Sequence, residues 1–224
     1  MNLIRTYFLA ALAFVLLACG TSHAQQDEIC LSNRTAPPAN SWHWEPDATI
    51  KLYFQQNMFT PEQQQALLET IDAWNVVARN AGSGIKLVYA GETLKSLDCE
   101  NCLTVAHGEI QKFDKKHYAF FYPIKRNDAG LVLSAWIIFD VGITKPKALR
   151  SYMAHELGHG MGLWDCQECR KSRTIMNAFP GVNKDNGLLA PSPCDQFVVQ
   201  RVYEQYRKLT AIPAGQPSPS SSGN

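Results

Sequence analysis

Short segments in which apolar and polar residues alternate predict strands, because successive side chains of a strand point to opposite faces. Thr49–Gln55 (TIKLYFQ) shows the clearest alternation. Further strands are predicted at Ile85–Tyr89, Leu103–Ala106, Tyr118–Tyr122 and Leu131–Phe139. Helical periodicity predicts one helix after Thr60, a second over about Pro146–Leu163 and a third over about Ser192–Leu209.

The first of these helices has recognisable start and stop signals. Thr60 is a good cap, Pro61 suits the first turn, and Gln63 stands three residues after the cap. Gly82 and Gly84 follow the last periodic residues and predict its end. The apolar face comprises Leu67, Leu68, Ile71, Trp74, Val77 and Ala78.

The order of elements is strand, helix, several strands, helix, irregular loop and helix, which predicts a single α/β (α+β) domain. We place this domain at residues 46–209, after a lead-in segment at 25–45 and before a Pro- and Ser-rich tail at 210–224. The tryptophans are interpreted as packing residues; they are Trp42, Trp44, Trp74, Trp136 and Trp164.

Composition narrows the classes of function. With 46% hydrophobic and 18% charged residues, the 224-residue chain can bury a sizeable core. Its formal net charge of +1 argues against a nucleic-acid partner, which usually requires a strong basic excess. No apolar run reaches the roughly 18–20 residues that a membrane-spanning helix needs.

Residues 1–24 are typical of an export signal, with Arg5 before the apolar run Tyr7–Ala18. Cleavage after Ala24 and lipidation of Cys19 at a lipobox over residues 16–19 are both open alternatives. The protein is therefore expected to be exported, and to be secreted, periplasmic or lipid-anchored at a bacterial cell envelope. A lipid anchor would be its only membrane contact.

Six cysteines remain beyond this signal, an even number that indicates disulfides in an exported chain. The two C-x-x-C pairs, Cys99/Cys102 and Cys166/Cys169, could each close locally, leaving Cys30 with Cys194. A four-cysteine structural zinc site is the rival interpretation, which the long gap between the pairs disfavours.

The candidate chemistry lies on the second predicted helix. His155 and His159 are four residues apart, so both imidazoles lie on one helical face and can share a metal. Glu156 is placed to act on a water at that metal rather than to bind it. Gly162 allows a sharp break, after which the carboxylate of Asp165 can return as a third ligand. Three protein ligands leave the fourth position of Zn²⁺ open, as catalytic sites require.

The residues from His155 to Asp165 match H-E-x-x-H-x-x-G-x-x-[H/D] and resemble the signature of the metzincin zinc endopeptidases. The aspartate in third position is similar to the snapalysin branch, and the layout of strand and helix resembles a matrixin catalytic domain. Met176, within Thr174–Asn177, resembles the Met-turn that lies beneath the metal in this clan. The resemblance covers roughly residues 42–208. It implies a twisted mixed sheet, an active-site helix, a Met-turn and a C-terminal helix.

The resemblance also implies a zinc-dependent endopeptidase that acts on protein or peptide substrates, here expected as a monomer. Zinc would polarise the scissile carbonyl and stabilise its developing negative charge, with Glu156 as general base. We expect the substrate to extend along an edge strand of the sheet, with Leu131–Ile138 as the candidate edge.

Two alternatives stay open. The chain could bind zinc without turnover, although the retained Glu156 argues against this. It could instead be a gluzincin-type peptidase that uses Glu204 of the last helix as third ligand. In addition, a reduced Cys166 could compete with Asp165 for the metal, whereas a Cys166–Cys169 disulfide would stiffen the ligand loop.

Overall fold

The computed structural model of the protein describes residues 42–95, 97, 99–166, 169 and 173–211. The predicted export signal, Cys19, Cys30, residues 25–41 of the lead-in and residues 212–224 of the tail lie outside the described residues. In the described part of the chain, no helix has the length and apolar character needed to cross a membrane. The elements in chain order are β1 (Thr49–Gln55), α1 (Pro61–Asn80), β2 (Lys86–Thr93), β3 (Cys102–Gly108), a 3₁₀ turn (Ile110–Lys112), β4 (Ala119–Arg126), β5 (Val132–Asp140), α2 (Pro146–Gly160) and α3 (Pro193–Thr210).

The five strands form one twisted mixed sheet in the order β2-β1-β3-β5-β4. Neighbouring strands are parallel except β4, which is antiparallel to β5 and occupies the edge. The α/β class predicted from the pattern of elements is confirmed.

The expectation that Leu131–Ile138 forms the exposed edge is wrong. This segment lies in β5, which is hydrogen-bonded to β3 on one side and to β4 on the other. Its alternation is incomplete because much of β5 is buried on both faces, as interior strands of such sheets are. Among the described residues, the edge of the sheet on this side is β4, and β2 forms the opposite edge.

Helix α1 begins and ends where its local signals predict. The Gln63 N–H donates to Thr60 Oγ1 at 3.3 Å, and the Thr60 N–H donates to Gln63 Oε1 at 2.8 Å, so the capping box is confirmed. At the other end Gly82 has φ +65°, which lets the chain turn back on the last helical carbonyls.

Helix α2 starts at Pro146 as predicted but ends at Gly160, three residues before the predicted end. Gly162 adopts φ +91°. Its N–H donates to the His159 carbonyl at 3.0 Å, and the Leu163 N–H donates to the Gly158 carbonyl at 2.9 Å. This pair of bonds is the Schellman motif, which closes a helix through a glycine in the left-handed region.

The core lies between the sheet and the helices, and it includes the fully buried Trp44 and Trp74. From the sequence, all five tryptophans are interpreted as packing residues. This is wrong for Trp42 and Trp164, whose side chains are 43% and 50% exposed. The two predicted local disulfides, Cys99–Cys102 and Cys166–Cys169, are present. Cys194 is also disulfide-bonded, and Cys30, its predicted partner, lies outside the described residues.

Candidate metal centre

Three side chains predicted as metal ligands converge at the end of α2. His155, His159 and Asp165 each present one ligand atom, and these atoms lie within 4.8 Å of one another. Asp165 Oδ1 is 3.0 Å from His155 Nε2 and 3.7 Å from His159 Nε2. In the described part of the chain, no other group of three or more His, Cys, Asp or Glu side chains is close enough to share a metal.

Hydrogen bonds at the far side of each imidazole determine which nitrogen faces the centre. His155 Nδ1 lies 3.0 Å from the Ile175 carbonyl, and His159 Nδ1 lies 2.9 Å from the Leu163 carbonyl. Since a carbonyl only accepts, the proton of each neutral ring belongs on Nδ1. When both rings are neutral, as metal ligands must be, each Nε2 is left without a proton on the side of Asp165, the arrangement that orients histidine ligands in metal sites.

The chain after α2 brings Asp165 back toward the histidines. A β-carbon at Gly162 would lie 3.0 Å from Val202 Cγ1 of α3, so both the positive φ and the close approach require glycine. Beyond Asp165, the Cys166 N–H donates to the Met176 carbonyl at 2.9 Å. The Cys166–Cys169 disulfide follows directly. Asp165 therefore lies between the glycine turn on its N-terminal side and these two contacts on its C-terminal side.

The spacing and chemistry of this trio fit a zinc ion. Tetrahedral Zn²⁺ bonds of about 2.0–2.2 Å to nitrogen and oxygen place neighbouring ligand atoms roughly 3.3 Å apart. The two distances from Asp165 Oδ1, 3.0 and 3.7 Å, bracket this value. Two imidazoles and one carboxylate are also a donor set found in zinc enzymes.

Burial and mutual contacts set the protonation of the three groups. Burial, reinforced by the neighbouring His155, lowers the pKa of His159 to about 4, which keeps its imidazole neutral. Burial also acts to lower the pKa of His155, but contact with Asp165 outweighs it and raises that pKa. For Asp165, burial is outweighed by the hydrogen bond from His155, and the pKa lies below its usual value. Metal binding would displace any proton shared by His155 and Asp165.

Glu156 lies beside the trio without belonging to it. Its side chain is buried, and burial raises the pKa of this carboxyl to about 7. The neighbouring backbone of Phe121 on the edge strand and the charge of His155 act in the opposite direction and lower this pKa, but burial outweighs them. A carboxyl group whose pKa is near neutrality can accept a proton and then release it, which suits a general base that later acts as an acid.

Met176 is fully buried beneath α2. A β-carbon at Gly158 would lie only 2.5 Å from Met176 Sδ, so the glycine allows the methionine to approach the helix backbone between the two histidines. Met176 therefore packs against the part of α2 that carries both histidines, and its role as the methionine turn of a metal centre stays a prediction.

Asp195 holds this turn and was not predicted as a site residue. It accepts hydrogen bonds from the Thr174 hydroxyl and from the Ile175 N–H, the latter at 2.9 Å. It also caps α3, receiving the Ser192 N–H at 2.7 Å. The capping-box pattern of Ser192 followed three residues later by Asp195 was the available signal, but it identifies a helix start rather than a contact with a distant loop.

Asn186 is a second residue that sequence reasoning missed. Its Nδ2 donates to the Ile175 carbonyl at 2.6 Å and to the Asn177 carbonyl at 3.1 Å. The Ile175 carbonyl thus accepts from both Asn186 and His155, which links the loop after the methionine turn to the first histidine. No local pattern around Asn186 indicates this role.

Glu204, the third ligand in the gluzincin alternative, does not join the histidines. Its Oε1 accepts a hydrogen bond from Gln200 Nε2 at 2.7 Å on α3, and Arg201 lies 3.8 Å from its Oε2. Among the described residues, the carboxylate brought to the two imidazoles is that of Asp165.

A cleft with a volume of about 1030 Å³ opens over the centre. One wall is the edge strand β4, and the floor contains the histidines, Glu156 and Asp165. His117 also lines the cleft, with Nδ1 2.6 Å from Asp114 Oδ2. The cleft therefore combines three side chains that could hold a metal, a buried carboxyl group and residues of an edge strand.

Comparison with known proteins gives similarity in structure but not in sequence. No protein-family model matches the chain, and no curated protein sequence matches it significantly. The solved structures similar to it include archaemetzincin from Methanopyrus kandleri, at 12% identity and a TM-score of 0.43 over 72% of this chain and 96% of that one. They also include metalloproteinase-II from Bacteroides fragilis, at 9% identity and a TM-score of 0.43 over 80% of this chain and 60% of that one. These TM-scores are low, so the functional argument depends on the geometry of the centre.

Proposed function

We propose that the protein is a zinc-dependent endopeptidase of the metzincin type. The observation that supports this most directly is the convergence of two imidazole Nε2 atoms and the Asp165 carboxylate at zinc-ligand spacing beside the buried Glu156. The H-E-x-x-H-x-x-G-x-x-D pattern of the same residues supports the proposal as well. The matrixin-like and snapalysin-like character of the domain is part of the same proposal.

His155, His159 and Asp165 would hold the zinc, which when bound supplies Lewis acidity toward a carbonyl and toward water. Glu156 takes a proton from the attacking water and passes it to the departing amine. Two neutral histidines and one carboxylate leave the centre with a formal charge of +1, as in His₂Glu peptidases. The buried position of Glu156 suits both halves of this proton transfer.

The substrate is a protein or peptide that lies along β4. Within the described part of the chain, β4 pairs with β5 alone, and several residues of β4 line the cleft. An extended peptide can add to such an edge through backbone hydrogen bonds, which bind many sequences alike. The scissile bond would then lie over Glu156, next to the Phe121 backbone.

Cleavage of an unfolded protein by the zinc-loaded mature chain tests this function. We expect hydrolysis that a zinc chelator abolishes and that added zinc restores. Glu156→Ala should abolish hydrolysis while the protein keeps its zinc. A wild-type protein that binds zinc tightly but cleaves nothing would contradict the proposal and favour the non-catalytic zinc-binding alternative.

The ligand set has its own test. Asp165→Ala should lower the stoichiometry of bound zinc, measured by atomic emission, whereas Glu204→Ala should leave it at the wild-type value. Each substitution removes one carboxylate, so the second variant controls for a general effect of charge removal. Loss of zinc in the Glu204 variant alone would favour the gluzincin alternative.

We further propose that the chain is exported, with an N-terminal signal removed before Gln25 or with Cys19 as a lipidated first residue. The residue types at 16–24 support both cleavage sites. Mass spectrometry of the mature N-terminus distinguishes them, because a diacylated cysteine adds several hundred daltons. An intact Met1 in the exported fraction would contradict both.

A further inference from the structure

Three large aromatic side chains with exposed surface border the same cleft. Trp42, Tyr122 and Trp164 are 43%, 61% and 50% exposed, and all three line the cleft over the metal centre. Isolated apolar residues on a surface are ordinary, but a group of them around a functional groove marks a binding surface. What they bind follows from where they lie along the groove, if the proposed peptidase function is correct.

Helix α2 and the edge strand β4 run side by side in the same direction. The rings of Tyr118, directly before β4, and of Tyr152, in the middle of α2, lie 6.3 Å apart. Further on, the ring of Phe121 lies 3.0 Å from a β-carbon built at Gly160, the last residue of α2. The groove therefore has one end near Tyr152 and another near the C-terminus of α2.

Trp42 and Trp164 both belong to the second end. Trp164 follows the glycine turn that closes α2. Trp42 precedes His43, whose carbonyl accepts the Val132 N–H at 3.0 Å, and the Trp44 N–H donates to the Gly160 carbonyl at 3.2 Å. Val132 also pairs with Arg126, the last residue of β4, so this end of the groove is where the edge strand finishes.

The opposite end of the groove has a different character. There Tyr152 is buried and stacks on Phe179, with ring centroids 3.8 Å apart. The Tyr152 hydroxyl donates to the Gly181 carbonyl at 3.3 Å. These aromatic groups contact each other, whereas Trp42 and Trp164 present much of their surface to the solvent in the groove.

The direction of the bound peptide decides which of its residues meets this surface. Antiparallel pairing is slightly more stable per residue than parallel pairing, so we take the substrate to run antiparallel to β4. Its N-terminal half then lies toward Arg126, Trp42 and Trp164. We propose that Trp42, Tyr122 and Trp164 form a subsite that selects an aromatic or large aliphatic side chain on the N-terminal side of the scissile bond.

The physical basis is removal of apolar surface from water on both partners. Covering a Phe or Leu side chain with indole faces should favour it over Ala by about tenfold or more in kcat/KM. The backbone beside each tryptophan is hydrogen-bonded, at His43 next to Trp42 and at Leu163 next to Trp164. Little loss of conformational entropy is therefore expected at these residues when the substrate binds.

A matched pair of peptides tests the subsite. The peptides differ only in Phe or Ala on the N-terminal side of one scissile bond, and mass spectrometry locates the cut. We expect the wild-type protein to prefer the Phe peptide about tenfold, and Trp42→Ala to reduce that preference severalfold with zinc content unchanged. Phe113→Ala is the matched control, because Phe113 is 77% exposed and does not line the cleft. It should preserve the wild-type preference.

Binding of the same peptides to zinc-loaded Glu156→Gln protein, followed by calorimetry, separates this inference from the proposed function. Tighter binding of the Phe peptide that is lost in the Trp42→Ala background supports the subsite even if hydrolysis is absent. Equal binding of both peptides overturns it, even if the wild-type protein cleaves both. A preference confined to residues on the C-terminal side of the cut also overturns it.

Discussion

Helices α1 and α2 pack against each other and both begin at a proline, yet they bury different kinds of side chain. Helix α1 buries a mostly apolar stripe and leaves its other face in the solvent. Helix α2 is buried over most of its length and takes Ser151, His155 and Glu156 inside with it. Local signals describe α1 almost completely, whereas α2 depends on partners from elsewhere in the chain.

Two of these polar groups have such a partner. Ser151 Oγ donates to the Leu188 carbonyl at 2.6 Å, and His155 Nδ1 lies 3.0 Å from the Ile175 carbonyl. Burying polar groups without hydrogen bonds would lower the free energy of unfolding by several kcal/mol. These hydrogen bonds therefore allow a helix with polar side chains to be buried. The comparison suggests that changes on α2 alter chemistry or packing, while comparable changes on α1 alter stability alone.

The largest expected effect separates the two helices by chemistry. Glu156→Gln keeps the shape of the side chain but removes its ability to take a proton, so kcat should fall by about 10²- to 10⁴-fold. Glu62→Gln makes the same change on the exposed first turn of α1 and should leave kcat unchanged. Steady-state hydrolysis and zinc content of both variants check this. A Glu156→Gln protein with near-normal kcat would remove the general-base role.

The next effect is steric and belongs to α2. Gly158→Ala places a methyl group 2.5 Å from Met176 Sδ and should lower the free energy of unfolding by about 1–3 kcal/mol. The loss arises because the methionine turn must move away from the helix. Denaturant unfolding measures it, and a double-mutant cycle with Met176→Ala provides the control. Additive effects in that cycle would show that the two side chains do not meet.

A smaller effect concerns the contact between the two helices. Trp74 Nε1 of α1 donates to the Ala154 carbonyl of α2 at 2.9 Å in the core. Trp74→Phe removes this donor and some volume, so we expect about 2 kcal/mol of destabilisation by thermal or chemical unfolding.

Trp136→Phe is the matched control for that change. Trp136 Nε1 is buried and has no hydrogen-bond partner among the described residues. Its replacement gives up volume but no hydrogen bond, and it should cost less than Trp74→Phe. Equal costs would show that the Trp74 hydrogen bond contributes nothing beyond packing.

The smallest effect is local to α1. Thr60→Ala removes the side-chain oxygen that accepts the Gln63 N–H, and should destabilise the protein by about 1 kcal/mol with unchanged hydrolysis. Thr60→Ser retains the oxygen and should remain close to the wild-type protein in urea unfolding. A drop in kcat for Thr60→Ala would contradict the view that α1 only supports the fold.

Sequence reasoning succeeded where the cause of a structure is local. The capping box at Thr60, the start of α2 at Pro146 and the glycine turn at Gly162 each depend on residues within a few positions of one another. Strand β1 was predicted with its observed bounds, because its alternation reflects one buried face.

It failed where the cause lies in pairing between distant segments. Alternation in β4 and β5 could not show which of them lacks a second neighbour, so the edge was assigned to the wrong strand. Composition likewise could not show that Trp42 and Trp164 keep much of their surface exposed. Asp195 carries a local capping signal but no sign of its bond to the methionine turn.

The spacing of His155, Glu156 and His159 was decisive before any fold was known, because 3.6 residues per turn place the two imidazoles on one face whatever surrounds the helix. The return of Asp165 to within 3.0 Å of His155 required the glycine turn and the bond from Cys166 to the Met176 carbonyl. The choice of imidazole nitrogen, the burial of Glu156 and the free edge at β4 arose only in the assembled fold. Each depends on a partner many residues away, brought close by burial of the shared core.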